Sequence, residues 1–226
     1  MNDIRKLQPA ALWQHFHSLT LIPRPSGKKD LIGKFLEDFG KSLGLETIKD
    51  EIGNILVRKP ATNGMENRKA VVLQAHMDMV PQKNTGIQHN FETDPVQAYA
   101  DGDWVTAKDT TLGADNGIGV AAAMAILEST DIPHPDIEMF ITVDEETGMH
   151  GAFGLQPNFL RGEILINMDS EDEGELYVGC AGGVDANIEY QYREVAVPDG
   201  DVALKISLTG LKGGHSGVDI HLQRAN

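Results

Sequence analysis

The sequence has 226 residues, of which 41% are hydrophobic, so it can bury a substantial core in one large or two small domains. Acidic residues outnumber lysine and arginine 34 to 19, and the net charge of -15 argues against nucleic acid or an anionic membrane as the main partner. A single cysteine, Cys180, excludes an internal disulfide. The amino terminus lacks a signal-peptide core, and no apolar run is long enough to span a membrane, so we expect a soluble cytoplasmic protein.

The first third of the chain predicts two helices followed by short strands. Helices are expected over 9–19 and 28–43, with Ser26 as the N-cap of the second helix. Two strands are expected at 46–49 and 54–58. Residues 70–76 are apolar and β-branched, as in a buried strand of a parallel sheet.

The middle of the chain alternates strand and helix patterns. Residues 82–108 are polar and long for a loop, which predicts a functional segment or unrecognised structure. The expected elements that follow are helices at 115–128 and 151–155 and buried strands at 137–143, 164–168 and 176–180. This alternation predicts an α/β domain with a mostly parallel sheet flanked by helices.

The character of the sequence changes near residue 182. The segments 187–195 and 202–208 alternate as half-exposed strands do, and Ser216 is placed to cap a helix that begins near Val218. We therefore expect a first domain over 1–182 and the beginning of a smaller α+β domain over 183–226.

The first candidate for chemistry lies at the end of the strand in the segment AVVLQAHMDMVP. His76 and Asp78 are two residues apart, so in an extended chain they lie on the same face. At the carboxyl end of a parallel strand, that face looks into the crevice where α/β proteins bind ligands. An imidazole beside a carboxylate suits a metal site, although this pair alone is weak support.

Four further acidic residues follow the same logic. Asp115 opens a predicted helix, Glu145 and Glu146 follow one buried strand, and Asp169 follows another. Each has an ordinary alternative: a helix cap for Asp115 and a solvated acidic loop for the others. Together with His76 they would concentrate negative charge at one edge of the sheet, which divalent cations would relieve. Histidine and carboxylates without cysteine fit zinc, manganese or cobalt catalysis, and a carboxylate can bridge two such ions.

Five motifs occur in order along nearly the whole chain. They read LQAHMDMVPQKN, TTLGADNGIGVA, VDEETGMHGAFGL, INMDSEDEGELYVGCAGG and LKGGHSG. These segments resemble the aminoacyl-histidine dipeptidases, the peptidase D or carnosinase-like group of the co-catalytic di-zinc metallopeptidases. The resemblance implies a zinc-exopeptidase-like catalytic domain with a smaller lid domain. It also implies hydrolysis of dipeptides, favouring Xaa-His and similar unblocked dipeptides, by a zinc-bound hydroxide.

The resemblance implies metal ligands residue by residue. His76 and Asp169 would bind one zinc ion, Glu146 would bind a second, and Asp115 would bridge both. Family members continue beyond the lid, where a further histidine completes the second site. On this basis 183–226 is the truncated beginning of the lid and dimerisation domain, and the second metal site is incomplete in this chain.

The resemblance also implies roles for three other residues. Asp78 would orient His76, and Glu145 would be the general base. His215 would steady the oxyanion of a neighbouring subunit's substrate in a homodimer, whereas its sequence context alone is equally typical of an ordinary loop histidine. Two alternatives stay open: an N-acyl amino acid amidase of the same family, and an inactive metal-binding fragment of a longer dipeptidase.

Overall fold

A computed structural model describes residues 2–170, 174–179, 186–212 and 220–223. The chain divides into two units, Met1–Glu173 and Gly174–Asn226. The domain boundary expected at residue 182 stays a prediction. Within the described residues, every helix is too short or too polar to cross a membrane.

The described residues of the first unit form four α-helices and seven strands. In chain order they are α1 (Ala10–Thr20), α2 (Asp30–Ser42), β1 (Glu46–Lys49), β2 (Ile55–Lys59), β3 (Val71–His76), β4 (Ala98–Asp101), β5 (Trp104–Ala107), α3 (Ala114–Glu128), β6 (Ile137–Thr142), α4 (His150–Phe153) and β7 (Ile164–Asn167). Five of the strands form one sheet in the order β1-β2-β6-β3-β7, and β4 and β5 form a separate hairpin. β3, β6 and β7 run parallel, while β1 and β2 are antiparallel to their neighbours.

Burial of the central strands explains their sequences. All six residues of β6 are buried, which is why this strand reads as an almost continuous apolar run. Its one charged residue, Glu138, is 3% exposed and accepts a hydrogen bond from Arg58 Nε at 2.7 Å. α1 packs against α3, and α3 packs against β3.

The predicted fold class is confirmed: helices flank a mixed sheet whose centre is parallel. The helices predicted at 9–19, 28–43 and 115–128 and the strands predicted before residue 168 are present within a few residues. The segment 82–108 contains the β4–β5 hairpin, which the sequence analysis left undefined. A Gly-Asp pair at the two-residue hairpin turn, Gly102-Asp103, is the local signal that could have identified it.

Three details of the prediction are wrong. Ser26 does not cap α2, because its hydroxyl donates instead to Asp78 Oδ2 at 2.7 Å. β7 is not buried, since it lies at the edge of the sheet and Leu165 is 56% exposed. The strands expected at 176–180, 187–195 and 202–208 are absent from the described part of the second unit, where most of the large apolar side chains of these segments are exposed.

Candidate metal centre

The carboxyl edge of the parallel strands collects the predicted polar residues. β3 ends in His76, β6 leads into Glu145 and Glu146, and β7 leads towards Asp169. α3 begins beside the same edge and carries Asp115 in its first turn. Parallel pairing thus brings together side chains that are as much as 93 residues apart in the sequence.

The imidazole of His76 is the centre of this group. The ring is 1% exposed, and its Nε2 lies 2.8 Å from Asp115 Oδ1. The same nitrogen lies 3.6 Å from Asp169 Oδ2 and 4.0 Å from Glu145 Oε2. On the other side of the ring, Nδ1 lies 3.3 Å from Asp78 Oδ1. Four carboxylates therefore face one buried imidazole.

Asp78 connects two parts of the site. Besides facing the His76 ring, its carboxylate accepts hydrogen bonds from the backbone N–H groups of Glu145 at 3.1 Å and Glu146 at 3.4 Å. The Ser26 hydroxyl donates to it at 2.7 Å. Asp78 is 4% exposed, so these bonds form with little competition from water. These hydrogen bonds fix the position of the segment after β3 relative to the segment after β6.

The chain enters α3 through an irregular turn. Gly113 precedes the helix at a φ of 71°, and the peptide bond between Asp115 and Asn116 is cis. Asp115 has a ψ of 112°, which is not helical, so its side chain leaves the helix axis towards His76. The glycine satisfies the positive φ without steric cost.

A buried asparagine holds the loop that carries the two glutamates. Asn54 Oδ1 accepts from Val143 N–H at 3.1 Å, and its Nδ2 donates to the Gly151 carbonyl oxygen at 2.9 Å. Those two positions are the beginning and end of the loop. Within it, Asp144 has a φ of 53° and accepts from Gly27 N–H at 2.7 Å. The loop is therefore fixed at three points.

The pKa values report the crowding of negative charge. Burial opposes protonation of His76, but hydrogen bonds with Asp115 and Asp78 outweigh it and raise its pKa to about 10. Burial and the Asp115 carboxylate raise the pKa of Glu146 to about 7, and burial likewise raises the pKa of Asp169 to about 7. The hydrogen bond with His76 holds the pKa of Asp115 below its ordinary value. A divalent cation in this place would relieve the repulsion.

Comparison with known proteins identifies the family. The profile of peptidase family M28 matches residues 54–214, which is most of the chain and includes every strand end described above. The chain belongs to peptidase family M28.

Individual relatives of this chain confirm the resemblance to the aminoacyl-histidine dipeptidases. It is 51% identical to the cytosol non-specific dipeptidase of Escherichia coli (strain K12) over 226 residues, 100% of this chain and 47% of that protein. The crystal structure of aminoacylhistidine dipeptidase from Vibrio alginolyticus matches with a TM-score of 0.78 and 52% identity, over 79% of this chain and 36% of that one. A tripeptidase from Staphylococcus aureus matches with a TM-score of 0.60 and 26% identity, over 72% and 43% of the two chains. The chain spans about half the length of the curated relatives it matches.

The donor atoms at this edge of the sheet fit a divalent metal. Two sets of three residues have ligand atoms within 4.8 Å of one another among the described residues. One set is His76, Asp115 and Glu146, and the other is His76, Glu145 and Asp169. The sets differ from the division implied by the resemblance, because Glu145 groups with Asp169 and His76 belongs to both. Imidazole and carboxylate donors without sulfur suit zinc, manganese or cobalt.

Sequence reasoning missed the residues that support the site. Arg24 and Gly27 were assigned no role, Ser26 was interpreted only as a helix cap, and Asn54 was interpreted only as the start of a strand. A charged residue between two prolines was the one available signal for Arg24, and Asn54 offered none. His215 lies outside the described residues, so its predicted role stays a prediction.

Proposed function

We propose that this chain carries the metal centre of a dipeptidase that hydrolyses unblocked dipeptides, favouring Xaa-His and similar substrates. One observation supports this above all: the buried His76 ring faces four carboxylates within 4.0 Å at the carboxyl edge of the parallel strands. The similarity to dipeptidases extends over the full chain. An acidic cluster of this kind is suited to divalent cations and to activating water for attack on a carbonyl group.

We propose two divalent ions, with zinc as the native metal and cobalt or manganese as substitutes. His76 and Asp169 would hold one ion, Glu146 the other, and Asp115 both. The short distance between His76 Nε2 and Asp115 Oδ1, 2.8 Å, and the raised pKa values of Glu146 and Asp169 support this set. The ligand distances group Glu145 with Asp169, so metal affinity measured in a Glu145 variant is the experiment that separates a base from a ligand.

The chemistry divides between the metal and this chain's own side chains. When bound, the ions would supply Lewis-acid polarisation of the scissile carbonyl and lower the pKa of water. Glu145 would take the proton from the attacking water and return it to the leaving amine nitrogen. Asp78 holds the His76 ring in position through Nδ1. His215 would donate to the oxyanion, a role that rests on the resemblance.

Location and assembly are further parts of the proposal. A cytoplasmic location is supported by the name of the Escherichia coli relative, a cytosol dipeptidase. A homodimer rests on the resemblance to the dipeptidase family. Light scattering during size-exclusion chromatography tests it directly, and a monomer at micromolar concentration would contradict it.

The experiment for the activity begins with the metal-stripped protein. Zinc, cobalt or manganese is added back, and hydrolysis is followed for an Xaa-His dipeptide, a dipeptide without histidine and an N-acyl amino acid. We expect metal-dependent cleavage of the dipeptides, with the Xaa-His substrate cleaved fastest. Cleavage of the N-acyl amino acid alone would favour the amidase alternative, and metal binding without any hydrolysis would show that this chain is not itself active.

A further inference from the structure

The guanidinium group of Arg24 contacts the backbone beside two residues of the candidate metal centre, His76 and Asp115. Arg24 is 2% exposed, follows α1 by four residues and sits in the connection that leads to α2. A fully buried arginine is rare and requires hydrogen-bond partners for its charged head. Among the described residues, its partners are backbone carbonyl oxygens rather than a carboxylate.

Those carbonyl groups belong to two different metal-binding segments. Arg24 Nη1 donates to the carbonyl oxygens of Met77 at 3.1 Å and Asp78 at 3.3 Å, just after the β3 strand. Nη2 donates to the carbonyl oxygen of Gly113 at 2.5 Å, at the entrance to α3. One rigid planar group therefore joins the segment that carries His76 to the turn that carries Asp115.

Backbone contacts fix Arg24 itself to the same strand end. Its carbonyl oxygen accepts from Met79 N–H at 3.1 Å, and Ser26 N–H donates to the Met79 carbonyl oxygen at 3.3 Å. Pro25 and Met79 form an isolated parallel bridge. The arginine is thus held along its backbone as well as by its head group.

The glycines of the TTLGADNGIGVA motif make room for this guanidinium. A Cβ atom on Gly113 would lie 2.6 Å from Arg24 Nη2, and one on Gly117 would lie 2.5 Å from the same atom. Contacts that short do not occur, so any side chain at either position would displace the arginine. Gly113 therefore meets two requirements, its positive φ and the space for Arg24, whereas Gly117 is explained by the space for Arg24.

The positive charge of Arg24 also matters, because the guanidinium lies near the carboxylates of Asp78 and Asp115. Asp78 and Asp115 are the carboxylates that favour the charged form of Arg24, while burial lowers its pKa to about 10. The guanidinium therefore stays positive at neutral pH. It is a fixed cation behind a group of carboxylates that repel one another.

We propose that Arg24 is a positioning residue of the metal centre: it sets the relation between the His76 and Asp115 segments and so determines metal affinity. This inference rests on the proposed metal-dependent function. Arg24 touches neither substrate nor metal in this role, because it acts through the three carbonyl groups. Residues that orient metal ligands in this way are typically worth 10- to 100-fold in metal affinity, and we expect a loss of about that size here.

The test compares Arg24→Met with a matched control, Arg58→Met. Arg58 is also a largely buried arginine, but it pairs with Glu46 on β1 and with Glu138 on β6. Glu138 is aligned with Val72 near the start of β3, at the opposite end of the strands from His76. Isothermal titration with cobalt(II) gives the dissociation constant, and the visible absorption spectrum of the cobalt protein reports ligand geometry. We expect Arg24→Met to weaken binding about 10- to 100-fold and to change the spectrum. Arg58→Met should lower the melting temperature and leave both readouts unchanged.

A conservative variant keeps the test decisive if Arg24→Met does not fold. Arg24→Lys retains the charge and the aliphatic stem but loses the planar set of donors that reaches two segments at once. We expect weaker cobalt binding than in the wild type and stronger binding than in Arg24→Met.

The outcomes separate the two levels of the proposal. No cobalt binding by the wild-type protein would overturn the proposed function itself. Tight binding by the wild type, with the same dissociation constant and spectrum in the folded Arg24 variants, would overturn only the role of Arg24.

Discussion

Replacing Asp78 by asparagine tests the connection between the two halves of the metal centre. The carboxylate accepts from Ser26 Oγ and from the N–H groups of Glu145 and Glu146, and it faces His76 Nδ1. Asparagine has the same size but offers only one acceptor oxygen. Its NH₂ group would face a donor, so at least one buried N–H or O–H group would lose its partner.

The magnitude follows from the ionisation of Asp78. Burial opposes the charged form, but hydrogen bonds from His76, Ser26 and Glu145 outweigh it and lower the pKa from 3.8 to about 2. The charged carboxylate is therefore favoured by about 2 kcal/mol in the folded, metal-free protein. Because the folded-state pKa is lowered, this contribution is present above pH 4 and is lost as the pH falls towards 2.

The assay is urea denaturation of the metal-free protein at pH 7, followed by zinc titration calorimetry. We expect Asp78→Asn to reduce the free energy of unfolding by about 2 kcal/mol and metal affinity by about 10- to 100-fold. Glu138→Gln is the matched control. Glu138 is equally buried, and one of its carboxylate oxygens accepts from two backbone N–H groups, those of Arg161 and Gly162, away from the metal centre. It should lower stability without changing metal affinity.

Two results would refute this reasoning. One is an Asp78→Asn protein that binds zinc as tightly as the Glu138→Gln protein. The other is an unfolding free energy equal to that of the wild type at pH 7, which would mean that the hydrogen bonds of Asp78 contribute nothing net.

Three further predictions follow from the same geometry. Glu145→Gln should lower kcat for dipeptide hydrolysis by at least about 100-fold while the zinc dissociation constant stays nearly unchanged; a parallel loss of zinc would identify Glu145 as a ligand. Gly151→Ala should lower the free energy of unfolding by several kcal/mol in a thermal melt, because the new Cβ would lie 2.4 Å from Asn54 Oδ1 and 2.6 Å from the Val143 nitrogen; a wild-type melting temperature would disprove that packing. Zinc at 100 times its dissociation constant should raise the free energy of unfolding by about 2.7 kcal/mol, and a chelator should reverse the gain; a zinc-independent urea midpoint would contradict it.

The sequence was sufficient to predict the elements that have a local sequence pattern of their own. Apolar runs identify β3 and β6, and the polar residues at their ends identify the edge where a site forms. His76 and Glu145 could be brought together in advance because parallel strands place their carboxyl ends side by side. The core of the site was therefore predictable before any contact was known.

The supporting contacts were not predictable because they depend on tertiary structure. Arg24 meets Gly113 across 89 residues, and Asn54 meets Gly151 across 97. A local sequence pattern contains no information about contacts between residues so far apart in the sequence. Ser26 illustrates the error that results. It has the sequence context of a helix cap, but its hydroxyl group donates a hydrogen bond to the buried carboxylate of Asp78 instead.

The predictions for the edge strand β7 and for the segments 187–195 and 202–208 were wrong for a related reason. Alternation of apolar and polar residues in 187–195 and 202–208 indicates which side chains share a face, but not whether a partner strand exists. In β7 the apolar residues predicted burial on both sides, whereas the strand lies at the edge of the sheet. Pattern alone could not assign its neighbours.

The most direct test of the metal centre is zinc titration into the metal-stripped protein, carried out in parallel on the wild type and His76→Ala. The imidazole is common to both sets of candidate ligands, so its removal should affect every site. We predict tight zinc binding by the wild type and a loss of at least about 100-fold in His76→Ala. Equal affinities in the two proteins, or no binding by the wild type, would contradict the assignment of this cluster as a metal centre.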